Sequence, residues 1–108
     1  VTSSATDGFS LYAQGSYNSI QSYNSKSLVL NPGGNNVGIG TTSPNASAIL
    51  DLTSTTQGFA PPRMTGTQAA AIASKAEGLM VYVTDATGGF AAKGWYGWNG
   101  AAWEKLNP

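Results

Sequence analysis

Ser27-Leu28-Val29-Leu30-Asn31-Pro32-Gly33-Gly34-Asn35-Asn36-Val37-Gly38-Ile39-Gly40-Thr41-Thr42-Ser43-Pro44 is the stretch on which the reading of the fold turns. The apolar cluster Leu28-Val29-Leu30 runs into the turn formers Asn31 to Asn36, and Val37 and Ile39 then alternate with Gly38 and Gly40 before a second turn at Thr42-Ser43-Pro44-Asn45. Short apolar runs bounded by Gly, Pro and Asn are the pattern of brief strands joined by turns. Upstream, Phe9-Leu11 and Ile20 lie on either side of Gly15-Ser16, and downstream comes Ile49-Leu50 with Leu52. From Asp7 to Leu52 such clusters recur at a spacing of roughly eight to eleven residues, which predicts serial short strands. Phe9, Leu11 and Ala13 alternate with Ser10, Tyr12 and Gln14, the period of a half-buried strand.

The first sixty residues are dominated by Gly, Ser, Thr and Asn, with few large apolar side chains. Ordering a residue costs conformational entropy that only burial offsets, and one copy of this segment has little to bury. It is therefore expected to be completed by neighbouring copies of itself. Glycine inside a strand suits the close backbone approach of intertwined chains, the competing reading being a loop that merely contains Gly38 and Gly40. Five basic and five acidic side chains, 9% of the chain, offer no field for nucleic acid or an anionic membrane. Cysteine and histidine are both absent, removing thiol chemistry and the commonest metal ligands. No apolar run approaches the ~20 residues of a membrane-spanning helix. Val1 opens a polar stretch without a signal-peptide pattern, and the chain reads as a fragment of something longer.

The character changes at Phe59-Ala60-Pro61-Pro62-Arg63, which divides the chain into a β-rich segment 1–60 and a small terminal domain 61–108. Thr65 and Gln68 have capping-box spacing, and Ala69, Ile72, Ala73 and Ala76 fall on one helical face ahead of Gly78. Leu79 to Val83 reads as a buried strand. Trp95-Tyr96-Gly97-Trp98 and Ala101-Ala102-Trp103 flank Asn99-Gly100, the signature of a hairpin with a type I′ turn.

Three of these stretches, Ser27–Pro44, Ser54–Thr65 continuing to Glu77–Tyr82, and Trp98–Trp103, resemble bacteriophage tail-fibre and tailspike (receptor-binding) proteins; comparable modules occur in bacterial surface proteins. The resemblance implies an intertwined homotrimeric, fibre-like β shaft followed by a small β-rich tip with one short helix. It also implies a virion location, or otherwise the cell surface, and contact with other tail components. Similar sequences often carry charges where Ala69-Ala70-Ala71 stand here, so the helix is expected to pack on a neighbour.

No constellation suggests catalysis, a cofactor or a metal. Asp7, Asp51, Glu77, Asp85 and Glu104 are scattered singly, whereas glycosidases need two carboxylates across one bond. Gly38-Ile39-Gly40 lacks the third glycine and the following helix of a dinucleotide loop, and Asn45-Ala46-Ser47 is a sequon of the kind chance produces. Arg63, the only arginine, is expected to bond to Asp51, Glu77 or Asp85, within the chain or across subunits, in preference to binding a ligand. The aromatic group Trp95, Tyr96, Trp98 and Trp103 either builds the terminal core or stacks on sugar rings. Trp95 and Tyr96 are the candidate glycan contacts, although alternation puts them on opposite strand faces. The function expected is non-catalytic attachment of a trimeric fibre to a cell-surface polysaccharide, the alternative being a purely structural shaft or adaptor.

Overall fold

The computed structural model describes residues 9–107, so Asp7 and the opening Ser/Thr stretch lie outside the described residues. The chain is mainly β, with one short helix, and forms two units, Val1–Thr55 and Thr56–Pro108.

In the first unit, β1 (Phe9–Gln14) and β2 (Tyr17–Ser22) pair antiparallel, Gln14 facing Tyr17 across the Gly15-Ser16 turn. Leu11 and Ile20 face each other yet remain 59% and 54% exposed. The expected half-burial is not achieved within the chain, because a lone hairpin has no second layer to bury against. Leu28, Val29 and Leu30 are also exposed and lie in no strand, contrary to the strand expected there. β3 (Val37–Ile39) and β4 (Leu50–Leu52) pair parallel, with Val37 beside Leu50, Gly38 beside Asp51 and Ile39 beside Leu52. Backbone bonds from Val37 N to Ile49 O and from Thr53 N to Ile39 O, both 2.9 Å, lengthen this short ladder. Asparagine amides satisfy carbonyls that strands would otherwise pair: Asn31 Nδ2 donates to Asn36 O at 2.9 Å, and Asn36 Nδ2 to Asn45 O and Ala48 O.

The two glycines of β3 and its end have a reason internal to the chain. Gly40 takes φ 78°, and a Cβ there would collide with the Thr53 carbonyl, while a Cβ on Gly38 would lie 2.8 Å from Pro44 Cγ. Both positions thus require glycine for reasons within one chain, beside the close approach of other copies expected from the sequence.

The second unit is a four-stranded sheet in the order β5 (Arg63–Met64), β6 (Met80–Val83), β7 (Gly94–Trp98), β8 (Trp103–Lys105), parallel between β5 and β6 and antiparallel beyond. The unit opens at Thr56, ahead of the proline pair, and Pro62 itself is tied to β6, since Tyr82 N donates to Pro62 O at 2.9 Å. α1 (Gly66–Ala70) follows Thr65, which caps it: Gln68 N donates to Thr65 Oγ1 at 3.2 Å, and Thr65 N donates to Gln68 Oε1 at 2.9 Å. The capping box is as the sequence predicts. The helix is shorter than predicted, ending at Ala70, and Ala73 and Ala76 are exposed outside it. Ser74 instead turns with φ 49°, and Lys75 Nζ folds back to donate to Ala70 O and Ile72 O at 3.1 and 2.7 Å.

One face of the sheet carries the core of Ala69, Val81, Val83, Phe90 and Tyr96, with Met64, Ile72 and Trp103 packed against it. Ala69 docks the helix on β6, so this helix packs on its own sheet. The hairpin β7–β8 forms as expected but not with a type I′ turn. Gly100 has φ 98° while neither neighbour has positive φ, and Asn99 Oδ1 accepts from the backbone N–H of both Ala101 and Ala102 at 2.8 Å. A type I′ turn needs two consecutive positive φ values, and the Asn99 side chain stabilises a different closure.

Candidate functional site

β6 reads Met80-Val81-Tyr82-Val83, and its pleat splits these residues between two faces. Val81 and Val83 go to the core; Met80, 45% exposed, and half-buried Tyr82 go to the other side. The continuous apolar run concealed that alternation. Register then builds a row across three strands, since Arg63 pairs with Tyr82 and Tyr82 with Trp95. The Tyr82 and Trp95 rings meet edge to face, 5.2 Å between centroids and 76° between planes. Gly58, Phe59, Ala60 and Pro61 rise beside this row and close a cleft of about 410 Å³. Buried Pro61 anchors the wall, and Phe59 leaves 64% of its surface exposed.

Trp95 is 37% exposed in this cleft. Tyr96 is 6% exposed on the opposite face, its ring 4.8 Å from Phe90 and its hydroxyl donating to Ala92 O at 2.7 Å. The two candidate glycan contacts are therefore not brought to one surface, as the alternation in the sequence already required. Tyr96 is a core residue that borders a second cavity of about 560 Å³ with Gly88, Phe90, Trp103 and Lys105. Trp98 and Trp103 pair at 5.6 Å, and the Lys75 ammonium sits 5.1 Å from the Trp98 ring centre. Of the three tryptophans, only Trp95 belongs to the open cleft. Sequence reasoning missed Tyr82 and Phe59; the continuous apolar run Met80–Val83 carries no alternation that would have singled out the first.

Arg63 is exposed and, among the described residues of its own unit, makes no ion pair with Glu77 or Asp85. Asp85 is committed elsewhere. The Gly66 backbone N–H at 2.9 Å, then the Thr87 hydroxyl at 2.7 Å, hold its carboxyl below the usual aspartate range. Asp51 is held low in the same manner, first by Asn45 N–H at 2.8 Å and then by the Thr53 hydroxyl at 3.0 Å. Among the described residues no three His, Cys, Asp or Glu side chains gather as a metal site, and no helix is long and apolar enough to cross a membrane.

Residues 38–108, from β3 through β8, match the family described as "Phage tail like trimerisation region". The chain belongs to this family. It is thus a trimeric, phage-tail-like module associated with the virion, and its partners include two copies of itself. No curated protein and no solved structure matches significantly. The matched region of this phage-tail-like chain extends beyond the terminal unit to take in the β3–β4 pair and leaves β1–β2 outside.

Proposed function

We propose that the module attaches its fibre, without catalysis, to a host cell-surface polysaccharide through three copies of the Trp95 cleft. The observation that carries this reading is the row Arg63-Tyr82-Trp95 on the uncovered face of the second unit's sheet, with the Trp95 ring lining a cavity of about 410 Å³. An indole face stacks on the apolar face of a sugar ring, Tyr82 braces the indole edge-on, and the Arg63 guanidinium can pair with a sugar carboxylate or hydroxyl. Each contact is weak, and a trimer presenting three of them converts weak sites into useful avidity. The bonding of three acids supports the non-catalytic reading: Asp51 and Asp85 serve as acceptors for backbone N–H groups, and Asn99 Nδ2 donates to Glu104 Oε1 at 2.6 Å.

Glycan-array and host-cell binding of the trimer test the reading. Trp95→Ala should lower apparent affinity by ~10-fold or more with the trimer intact, because avidity multiplies the loss at each site. Undiminished binding would remove the cleft from consideration. Release of oligosaccharide by the purified chain would contradict the non-catalytic assignment. A second reading, a structural shaft or adaptor joined to other tail components, is favoured by a family description that speaks of trimerisation alone. It gains if no glycan is bound.

A further inference from the structure

The β3–β4 pair has two unlike faces. On one, Gly38 and Asp51 are covered by the chain's own loop: Pro44 and Thr41 lie against Gly38, and Asn45 N donates to Asp51 Oδ2. On the other, laterally paired Val37 and Leu50, then Ile39 and Leu52, form a wholly aliphatic patch. Ile39 is 58% exposed, Leu50 49% and Leu52 43%. Parallel strands are stable when covered on both faces, and three-residue strands have little ladder to rely on. The described unit supplies only one cover.

We infer that the Val37–Ile39/Leu50–Leu52 face is the seam of the trimer, packed against the same face of two other copies around the threefold axis. Three observations select a second copy of this chain as the occupant. The family match begins at Gly38, inside β3, and its description is trimerisation. Asp51 is the only charged residue between Lys26 and Arg63, and it is turned to the covered face, so three copies can close without opposing like charges. Unprotected strands normally carry lysine, proline or bulges that discourage association, and Val37–Ile39 and Leu50–Leu52 carry none. Since Thr41–Asn45 of each chain covers its own pair, copies meet through side chains without exchanging strands. The inference rests on the trimer and is independent of glycan binding.

The test is the mass of the full chain by sedimentation equilibrium. Wild type should sediment as a trimer, and Ile39→Lys with Leu52→Lys should raise the dissociation constant by at least ~100-fold, because unpaired ammonium groups would be buried together. Near-UV circular dichroism from the Phe90–Tyr96 and Trp98–Trp103 pairs should persist in the dissociated chain. Met80→Lys and Leu106→Lys, on the open face of the second unit, should leave the trimer intact. Since the chain has no cysteine, Ile39→Cys supplies one thiol per chain and should cross-link to dimers, the limit for a bifunctional reagent, with a short bis-maleimide, and to trimers with a tris-maleimide, whereas Trp95→Cys should do neither. A wild-type monomer would sink the trimer itself. A trimer that survives the paired lysines, or that is lost with Met80→Lys or cross-linked through Trp95→Cys, would sink the seam alone.

Discussion

Gly66 shows how one missing methyl positions a helix. It is buried at the first position of α1, and a Cβ there would strike the Thr87 carbonyl while lying 3.0 Å from Phe90. The turn-rich loop after β6 and the helix start therefore approach by backbone. Gly66→Ala should destabilise the second unit by about 1–3 kcal/mol through overpacking, read as a lowered denaturation midpoint. Asp85 ties the same two segments by charge, accepting from Gly66 N and the Thr87 hydroxyl. Its folded pKa lies below the unfolded one, so its contribution is fully present above the ordinary aspartate pKa and lost as pH falls through the folded value. The stability difference between wild type and Asp85→Asn should accordingly be constant at neutral pH and shrink on acidification below about pH 4. A difference that grew in acid would contradict the assignment.

Among elements, α1 separates what local sequence can specify from what it cannot. Thr65 and Gln68 need only each other, and their capping box stands where the spacing predicts. Thr65→Ala should cost about 1 kcal/mol, and a loss of near zero in thermal unfolding would mean that the cap is redundant. The far end of the helix depends on geometry that the alanines do not encode: the chain must return to pair with β5, and Lys75 rather than further helix satisfies the last carbonyls. The same division runs through the site. Alternation put Trp95 and Tyr96 on opposite faces from sequence alone, yet the row joining Arg63, Tyr82 and Trp95 exists only through register between strands distant in sequence. The reason for Gly40 was likewise hidden, because it lies in Thr53, on the far side of the loop it turns into.

At the scale of the molecule, the two units differ in what they bury. The second has a helix, four strands and a core that includes Val81, Val83, Phe90 and Tyr96, all closed within itself. The first leaves Leu11, Ile20, Val29, Leu30, Ile39 and Leu50 largely exposed, and none of its described residues belongs to that buried cluster. Burial is the main term offsetting chain entropy, so the units should differ in their dependence on association. A fragment spanning 56–108 should fold as a monomer, marginally, because domains of this size bury only about 60% of their unfolded surface. Its near-UV circular dichroism should resemble that of the same rings in the full chain, and its melting temperature should not vary with concentration. The full trimer should instead melt at temperatures that rise with protein concentration, since association stabilises by mass action. An unfolded 56–108 fragment would show that the second unit, too, is completed only by its neighbours, and would move the origin of stability from the subunit to the assembly.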